Sequence, residues 1–598
     1  MAMMMNVDPD DLLGKAYDAR VMRRLFAFVL PYRARALLLL GAVVAVIGCD
    51  LALPWLFSQA VDEVRPGGAR RADALNLLGA AFVLTLGLRF LTMWGQFYLT
   101  SWLGNRVVYD LRNDMFRHLQ TLSLNYIDKR GVGAIMTRIQ NDVGVINEMF
   151  ADGLLGIFGN ILILIGIVVV MVLTDWQLAL LTFIAMPVMI VVMRFWRTRA
   201  IDTYRETRRT IGAVNANLAE SISGMRVMQA FVREEGRRER FAGLNKANLI
   251  ASKDAAWLSA LLLPVVLLIG ATATVTVLYV GGQFVFDLDL TLGELVLFIA
   301  LVDRFFEPIR DLSQQYNVMQ ASMAAGERIF EVLDVEPDVR DRPGAIVLPP
   351  IAGAVRYDGV TFGYGDTEIL HGIDLDVASG QTVAFVGETG AGKSSMINLL
   401  MRFYDVWDGA ITIDGHDLRD VTQTSLRSQV GIVLQDTFLF GGSVRDNIRF
   451  ARPDADDAAV ERAARDVGAH EFITRLSEGY DTEVQERGTS LSVGQRQLLS
   501  FARALLADPR ILILDEATSS IDTRTERVIQ QALRRLLTGR TSFVIAHRLS
   551  TIREADVVVV LEQGRIVEQG GHQDLLTRRG TYAALHAKQW RGEEIAAD

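Results

Sequence analysis

Long apolar runs, separated by polar stretches, dominate the first half of the chain. The run 154–173 contains no charged residue, and a helix of this length, rising about 1.5 Å per residue, crosses the hydrocarbon core of a bilayer. Comparable runs are found at 37–56, 75–103, 178–196, 257–280 and 292–306. Buried helices of a soluble protein are the alternative, but the repetition of such long runs disfavours them. The pattern therefore predicts six transmembrane helices, of which the last is short and carries charges.

Two long polar stretches, roughly 105–150 and 197–250, join the second run to the third and the fourth to the fifth. They keep a helical spacing of apolar positions and contain few helix breakers, so the helices should extend beyond the membrane there. The basic, amphipathic segment 17–32 indicates a helix along the membrane surface. Prolines interrupt the periodicity at 336–350, where we expect a linker. The predicted domains are thus 1–335 and 351–598, joined by that linker.

The stretch 387–394 reads GETGAGKS and fits the G-x-x-x-x-G-K-[ST] pattern of a phosphate-binding loop. It follows an apolar run that predicts a strand and precedes one that predicts a helix, which is the context the pattern requires. Its backbone N–H groups would hold phosphate oxygens, Lys393 would contact the β- and γ-phosphates, and the Ser394 hydroxyl would ligate Mg²⁺. The ATP-binding residues predicted here are Gly387, Glu388, Thr389, Gly390, Ala391, Gly392, Lys393, Ser394 and Ser395.

A further apolar run, 511–514, predicts a strand that ends in two carboxylates, Asp515 and Glu516. Beside a phosphate loop, Asp515 suits a ligand of Mg²⁺, and Glu516 suits a general base that polarises the attacking water. The predicted fold class is therefore multidomain. An all-α domain of six transmembrane helices with long cytoplasmic extensions is followed by an α/β domain with a phosphate loop.

The expected location follows from the nucleotide motif, because ATP is a cytoplasmic ligand. Six spans place both ends of the membrane half on the same side, which would then be the cytoplasm. Arginines from Arg20 to Arg35 precede the first run, as the positive-inside tendency predicts, although those at 65–71 weaken the argument. We expect a multi-pass protein of a bacterial plasma membrane. The net charge of −9 gives no reason to expect nucleic-acid binding, and the single Cys49 excludes an internal disulfide.

Between the phosphate loop and Asp515 lies the sequence Leu491-Ser492-Val493-Gly494-Gln495. With it, the second half resembles the ATPase domain of ABC transporters, whose signature reads Leu-Ser-Gly-Gly-Gln, over about 355–585. In that family the signature of one domain caps the phosphate loop of another. The other positions to which the resemblance assigns roles are the adenine-stacking Tyr364, the Mg²⁺-sensing Q-loop residue Gln435, the X-loop at 486–488, the D-loop residue Asp522 and the switch histidine His547.

The membrane half resembles exporters in which six helices precede the ATPase domain. The stretches 122–128 and 138–142 look like the first cytoplasmic coupling region of such exporters, and 220–227 looks like the second. The chain has one phosphate loop and one signature, so the resemblance implies a half-transporter that works as a dimer, with ATP and Mg²⁺ as cofactors. ATP binding would favour the closed, outward-facing dimer, and hydrolysis would reset it.

Two interpretations of the cargo remain open at this point. The first is ATP-driven export of hydrophobic or amphipathic drugs or lipids by alternating access. The alternative is a dedicated transporter of a specific cargo, such as a peptide, siderophore or glycolipid, within a heterodimer. A regulatory ATPase that uses the same dimer without transport is a third class, and the six spans with two coupling regions argue against it.

Val493 departs from the glycine that the family's signature carries at this position. A β-branched side chain adds bulk beside the expected γ-phosphate site. In one interpretation, Ser492 and Gly494 still make the phosphate contacts and the change is harmless. In the other, this chain is the partner with an altered signature in a heterodimer that has one weakened site.

The candidate residues of a substrate cavity are charged positions within or beside the apolar runs: Asp50, Arg89, Asp303 and Glu307. Charge inside a membrane is costly and often faces a cavity or marks a transport path. A helix face that carries both Asp303 and Glu307 would be acidic and would attract cationic amphiphiles. The alternative is that the segment around Asp303 already lies at the cytoplasmic interface, where its charges are solvated or paired.

Overall fold

The computed structural model describes residues 18–589, except 65–71, 288, 436, 486–487, 489, 516–522 and 547. The chain divides into two compact units. The helical unit comprises Met1–Gln120 and Gly131–Val335, and the α/β unit comprises Glu336–Asp598 together with the short segment Thr121–Arg130. This segment contains the first part of the predicted first coupling region, so a piece of the membrane half by sequence is grouped with the α/β unit in space.

Long helices make up the helical unit, and the polar stretches continue them, as the spacing of apolar positions predicts. The helices as far as residue 335, including α4 of the α/β unit, are α1 Ala19–Ala27, α2 Arg33–Val64, α3 Ala72–Leu119, α4 Leu124–Arg130, α5 Val132–Thr137, α6 Val143–Glu148, α7 Leu155–Thr174, α8 Trp176–Phe183, α9 Ala185–Ser223, α10 Met225–Ala230, α11 Glu234–Phe286 and α12 Leu292–Leu333. Single π-helical turns at Arg138–Asp142 and Met149–Leu154 connect α5, α6 and α7.

The helices that are long and apolar enough to cross a membrane, among the described residues, are Leu30–Val64, Asp73–Leu119, Leu155–Thr174, Trp176–Ser223 and Glu234–Phe286. They contain four of the first five predicted runs, and the helix Leu155–Thr174 begins one residue after the start of the run 154–173. The sixth predicted span forms the beginning of α12, which carries Glu294, Asp303, Arg304 and Glu307 in its first turns. These charges distinguish α12 from the other five helices, and its passage through the membrane stays a prediction.

α12 packs against α2, α7 and α11 through apolar side chains that include the fully buried Phe298 and Phe305. A polar contact also joins the end of α2 to the start of α12. The Asp62 carboxylate accepts hydrogen bonds from the Thr291 hydroxyl at 2.8 Å and from the Gly293 N–H at 2.7 Å. It thereby satisfies one of the N–H groups that a helix start leaves without an intrahelical partner.

The short helix α1 is amphipathic, as predicted, and its apolar side packs against α12. Val21 and Leu25 are buried there beside Gly326, where an added Cβ would lie 2.6 Å from a Val21 methyl group. Arg24 makes two hydrogen bonds to the Asp334 carboxylate, at 2.6 and 2.7 Å. These contacts fix α1 to the last turns of α12.

A six-stranded sheet with the order β12-β11-β3-β10-β9-β6 forms the centre of the α/β unit, and a four-stranded sheet with the order β2-β1-β4-β5 accompanies it. The strands are β1 Val355–Tyr364, β2 Thr367–Val377, β3 Thr382–Val386, β4 Asp408–Ile413, β5 His416–Asp417, β6 Val430–Val433, β7 Gly442–Ser443, β8 Glu483–Val484, β9 Ile511–Asp515, β10 Thr541–Ile545, β11 Val557–Glu562 and β12 Arg565–Gly570. In the large sheet β12 alone of the described strands is antiparallel to its neighbour.

Helices cover the large sheet, so its central strands are buried on both faces and read as continuous apolar runs. The helices of this unit after β3 are α13 Lys393–Leu400, α14 Gln423–Arg427, α15 Val444–Arg449, α16 Asp457–Asp466, α17 His470–Ile473, α18 Val493–Ala507, α19 Thr523–Leu537, α20 Leu549–Glu554, α21 His572–Arg578 and α22 Thr581–Gln589. β3, β9 and β6 end at the same edge of the sheet, where open α/β sheets bind ligands. The predicted order of an all-α domain and an α/β domain is confirmed.

Candidate functional site

The stretch 387–394, hereafter the phosphate loop, leads from the end of β3 into α13. Gly390 and Gly392 have φ angles of +88° and +102°, a left-handed conformation that favours glycine. A Cβ on Gly392 would lie 2.6 Å from a Leu370 methyl group, whereas a Cβ on Gly390 would meet no atom within 4 Å. The loop therefore packs tightly on one side and leaves open space at Gly390.

Lys393, the first residue of α13, turns its side chain back across the phosphate loop. Its ammonium group donates hydrogen bonds to the backbone oxygens of Gly387 at 2.8 Å and Glu388 at 2.9 Å. Burial lowers the pKa of Lys393, and the nearby carboxylate of Asp515 opposes that shift. A desolvated ammonium held beside the open space at Gly390 is well placed to contact phosphate oxygens.

A cavity of about 440 Å³ adjoins the phosphate loop and brings together residues from five parts of the sequence. It is lined by Tyr364, Ile369, Thr389, Gly390, Gly392, Lys393, Ser394, Ser395, Gln435, Asp515 and Ile545. All of these except Ile369 and Ile545 are residues that the sequence predicts for the ATP site. The other three predicted residues of the loop, Gly387, Glu388 and Ala391, do not line this cavity. Ala391 is buried, and the Glu388 carboxylate pairs with Lys588 of α22 at 3.0 Å.

One end of the cavity is aromatic. Tyr364, at the end of β1, packs edge-to-face against Phe362 and Tyr404, with ring centroids 5.0 and 5.2 Å away. Its hydroxyl lies 3.3 Å from the Ser395 Oγ and accepts a hydrogen bond from the Asn398 side chain at 3.4 Å. Tyr364 is 36 % exposed, which leaves ring surface available for stacking on a nucleobase.

Three oxygen-bearing side chains also line the cavity. Ser394, Gln435 and Asp515 all line it, and hydroxyl, amide and carboxylate oxygens are ligands that Mg²⁺ accepts. Among the described residues no group of three or more His, Cys, Asp and Glu side chains forms a metal-binding cluster. Mg²⁺ in nucleotide sites is held by one or two protein oxygens together with phosphates and water. The residues therefore fit a Mg²⁺–ATP complex.

The signature residues lie apart from this cavity, at the start of α18. Leu491 is buried, and Ser492 and Gln495 form a capping box in which each side chain bonds the other's backbone N–H, at 3.3 and 2.9 Å. Val493 is the first helical residue and is 47 % exposed, while Gly494 is buried. A valine at this helical position needs no left-handed backbone, so the departure from glycine causes no strain within the chain itself.

Three predicted functional residues fall outside the described residues: Glu516, Asp522 and His547. Asp515 closes β9, so Glu516 follows directly in the chain. Most of the X-loop at 486–488 also lies outside the described part of the chain. The roles assigned to these positions stay predictions.

The four candidate residues of a substrate cavity separate into two groups within the helical unit. Asp303 and Glu307 of α12 line a cavity of about 430 Å³, and the rest of its lining is apolar: Leu263, Val266, Leu267, Gly270, Ala271 and Phe306. Asp50 and Arg89 do not line it. Instead, the Asp50 carboxylate accepts a hydrogen bond from Arg89 at 2.7 Å.

Two features of the site were not predicted from the sequence. Tyr404 and the buried Arg402 lie on the loop after α13, which has no periodicity that would reveal them. The aromatic pair Phe403-Tyr404, between charged residues in a loop, is the only signal in the sequence. Their position depends on how this loop packs beside β1.

Both halves of the chain match known protein families. Residues 37–309 match the family described as ABC transporter transmembrane region, and residues 370–519 match the family described as ABC transporter. Across 97 % of its length the chain is 38 % identical to the ATP-dependent lipid A-core flippase of Syntrophus aciditrophicus, of which it covers 96 %. Across 87 % of its length it is 39 % identical to a fatty acid ABC transporter ATP-binding/permease protein of Mycobacterium tuberculosis, of which it covers 82 %.

The fold of this chain also matches a solved ABC exporter structure. It is the structure of a bacterial Atm1-family ABC exporter with ATP bound, and its TM-score with this chain is 0.77 at 34 % sequence identity. The match covers 93 % of this chain and 98 % of the exporter chain. Proteins of this type bind ATP and hydrolyse it to drive transport across a membrane. With both halves matched in the order that the structure has them, the chain belongs to the ABC transporter family and is an exporter-type chain with its transmembrane region ahead of its ATP-binding domain.

Proposed function

We propose that this protein exports hydrophobic or amphipathic molecules, drugs or lipids, by ATP-driven alternating access as one half of a dimer. The observation that carries the proposal is the cavity between α11 and α12, which is apolar except for Asp303 and Glu307. A mostly apolar lining with few polar groups suits a ligand that has an apolar body and a polar end. The lipid cargoes named for two of the relatives support the same class of molecule.

The ATP site works through residues of this chain that hold the phosphates and the reacting water. Lys393 contacts the β- and γ-phosphates, and the backbone N–H groups of the phosphate loop surround them. Ser394, Gln435 and Asp515 would hold Mg²⁺, which would neutralise charge that develops on the phosphates. Glu516 accepts a proton from the attacking water, and His547 donates a hydrogen bond to the γ-phosphate.

The dimer follows from the position of the signature. Ser492 and Val493 are exposed at the start of α18 and do not line the chain's own ATP cavity. In a dimer this helix start would cap the phosphate loop of a second chain, because a helix N-terminus favours anions. The second chain is a copy of this one in our proposal. The transporter lies in the bacterial plasma membrane among its lipids, with the ATP-binding domain in the cytoplasm.

A second candidate function is the transport of one specific cargo, such as a peptide, siderophore or glycolipid, by a heterodimer. The observation that favours it is Val493, whose exposed side chain would stand between the signature and the γ-phosphate of a bound ATP. In a heterodimer with one weakened ATP site, one partner would carry an altered signature and keep the catalytic glutamate. This chain has both features, Val493 and Glu516.

ATP turnover by this chain alone in lipid nanodiscs tests both proposals, with Glu516→Gln as the variant. We expect robust turnover by the wild type and a drop of about 10²–10⁴-fold in Glu516→Gln, with ATP binding retained, because only proton transfer is lost. Glu478→Gln, an exposed glutamate of the same unit, is the matched control. Turnover near wild type in Glu516→Gln contradicts the assignment of the base, and negligible turnover by well-folded wild type points to a missing partner chain.

Transport is measured separately, with inside-out vesicles and a fluorescently labelled phospholipid. ATP-dependent accumulation by the homodimer, lost in Glu516→Gln, supports the lipid or drug exporter. Active ATP turnover without any transport of this lipid, or of a hydrophobic cationic dye, favours the dedicated transporter instead.

A further inference from the structure

Two aromatic rings and two arginines form a cluster where α2 begins and the apolar run of α3 ends. Tyr32 lies in the turn just before α2, and its ring packs edge-to-face against Trp102 of α3, with ring centroids 5.4 Å apart. The guanidinium of Arg35 lies over the face of Trp102, 3.7 Å from the ring centroid. Arg106 donates a hydrogen bond from its Nε to the Tyr32 hydroxyl at 2.8 Å. Each arginine is therefore held by one of the two rings.

This aromatic–arginine cluster lies at the polar boundary of both helices. The apolar run 37–56 of α2 begins just after Arg35, and the apolar run 75–103 of α3 ends just before Arg106. Because α2 and α3 pack against each other and both arginines contact the same pair of rings, the two boundaries lie at one level. In a bilayer such a level is where the hydrocarbon core meets the headgroups, and Trp and Tyr are enriched there.

The cluster carries more positive charge than the protein around it neutralises. The Asp110 carboxylate accepts a hydrogen bond from the Tyr32 hydroxyl at 2.6 Å and lies 3.8 Å from the Arg106 guanidinium. Within the described part of the chain, Arg35 has no carboxylate partner, and neither does Arg33 in the same first turn of α2. Both of these side chains are exposed. Positive charge that lacks a counter-charge at headgroup level favours an anion from outside the chain.

The contacts of the two arginines leave several of their N–H groups available. A guanidinium that lies over a ring uses its face, so the N–H groups of Arg35 still point outward in its plane. Arg106 donates from Nε, and its terminal N–H groups donate to no atom of the described residues. Paired N–H groups of this kind match two oxygens of one phosphate group. The site therefore suits a phosphate rather than a single point charge.

We propose that this cluster binds the headgroup phosphate of an anionic phospholipid, and that Arg35 and Arg106 contact the phosphate oxygens. Leu37 and Leu38 begin the apolar run directly below the cluster and are exposed, so the acyl chains lie along them. This apolar surface favours a lipid over a free phosphate ion. None of the residues of the cluster lines the cavity between α11 and α12, so the lipid is a ligand of a separate site and not the exported cargo. The inference thus goes beyond the proposed function and does not depend on it.

Native mass spectrometry of the full-length protein in detergent tests this proposal, because it counts bound lipids directly. The probes are phosphatidylglycerol, which is anionic, phosphatidylcholine, whose choline neutralises its phosphate, and glycerol 3-phosphate, which lacks acyl chains. No nucleotide is added, so ATP turnover does not contribute. We expect the wild type to bind phosphatidylglycerol about tenfold or more tightly than phosphatidylcholine. An excess of glycerol 3-phosphate should leave the bound phosphatidylglycerol in place.

The variants separate this site from the general charge of the protein and from the cargo cavity. Arg35→Gln combined with Arg106→Gln should weaken phosphatidylglycerol binding about 20-fold, since each basic residue beside an anionic headgroup contributes roughly a fivefold factor. Arg208→Gln combined with Arg226→Gln is the matched control, because it removes two exposed arginines from α9 and α10. Ala271→Phe narrows the cavity between α11 and α12 and should leave phosphatidylglycerol binding unchanged.

Equal binding of the two lipids by the wild type overturns the proposal, as does unchanged phosphatidylglycerol binding in the double variant at Arg35 and Arg106. An equal loss in the control variant overturns it too, because general surface charge would then be the cause. Displacement by glycerol 3-phosphate identifies the occupant as a soluble phosphate, and a loss in Ala271→Phe identifies the lipid as cargo; either result overturns the lipid site.

Arg35→Gln alone decides the matter if the double variant does not fold. Arg35 is exposed and makes no side-chain hydrogen bond within the described part of the chain, so its loss leaves the packing intact. About fivefold weaker binding of phosphatidylglycerol by this single variant supports the site, and unchanged binding overturns it. None of these outcomes bears on ATP turnover or on export, so a failure of this inference is distinct from a failure of the proposed function.

Discussion

The Asp50 carboxylate accepts a hydrogen bond from Arg89 Nε at 2.7 Å and thereby joins α2 to α3 within the helical unit. Arg304 of α12 reaches the same residue, with a hydrogen bond of 2.7 Å to the Asp50 backbone oxygen and a distance of 3.7 Å to its carboxylate. Two arginines from two helices therefore share one acidic residue of a third helix. Charges inside a membrane region are retained where they are paired in this way.

Asp50→Asn should destabilise the protein more than Arg89→Gln does. The first substitution leaves two arginines near each other without a counter-charge, whereas the second leaves Asp50 beside Arg304. We expect a loss of about 1–3 kcal/mol for Asp50→Asn and partial recovery in the double variant with Arg89→Gln, since residues in one ion-pair network are not additive. Thermal unfolding in nanodiscs measures both. Asp287→Asn, at an exposed acidic position after α11, is the control, and strictly additive effects would contradict the shared pairing.

Gly293→Ala should also destabilise the helical unit. A Cβ at Gly293 would lie 2.2 Å from the Ser58 backbone oxygen and 2.5 Å from an Asp62 carboxylate oxygen, so the start of α12 would have to move away from α2. Overpacking of this kind costs about 1–3 kcal/mol. Thermal unfolding is the readout, and Gly282→Ala is the matched control because a Cβ there meets no atom within 4 Å. Equal melting temperatures for the two variants would show that the helix ends are not in close contact.

Lys393→Ala should abolish most ATP hydrolysis while leaving the fold intact. Its ammonium bonds two backbone oxygens of the phosphate loop, at the half-buried Gly387 and the exposed Glu388, so its loss removes phosphate binding more than it removes packing. We expect kcat/KM for ATP to fall about 100-fold or more, the size of effect seen when one charge-stabilising donor is removed. Lys588→Ala is the matched control, because Lys588 meets the phosphate loop only through an exposed ion pair with Glu388. A Lys393→Ala protein with wild-type kcat/KM would refute the phosphate contact.

Tyr364→Ala should weaken ATP binding with little change in kcat. Loss of one base–aromatic stacking contact corresponds to about a tenfold rise in KM for ATP. Tyr364→Phe keeps the ring and should stay near wild type, which separates stacking from the hydrogen bonds of the hydroxyl. Steady-state ATPase assays at varied ATP concentration give both constants. If Tyr364→Ala left KM unchanged, the nucleobase would bind elsewhere.

Local motifs account for the parts of the structure that could be predicted from the sequence. The apolar run before the phosphate loop predicts the strand Thr382–Val386, and β3 has these limits. The run before Asp515 likewise predicts most of β9. A strand, a tight glycine turn and a helix start are each determined by neighbouring residues, so the pattern is sufficient to place them. Ser394, Gln435 and Asp515 line one cavity because the parallel strands that precede them end at the same edge of the sheet.

Contacts between distant parts of the chain could not be predicted in this way. Periodicity indicates which face of a helix is buried, but not which side chain of another helix meets it. The sequence predicts a charge at Asp50 within an apolar run, but its pairing with Arg304 depends on how α12 crosses α2. The same holds for Tyr404 and for Asp338, whose partners belong to segments far away in the sequence.

The grouping of Thr121–Arg130 with the α/β unit has a consequence for work on the ATP-binding domain in isolation. A recombinant fragment that begins at residue 336 would contain Asp338 but neither Ser123 nor Asn125. In the whole protein the Asp338 carboxylate accepts hydrogen bonds from the hydroxyl of Ser123 and the side-chain amide of Asn125. The Asp128 carboxylate, which adds to the effect of burial in raising the pKa of Tyr404 in the whole protein, would be missing as well. Nucleotide affinities and melting temperatures measured on such a fragment would describe a domain that lacks one of its own ten-residue pieces.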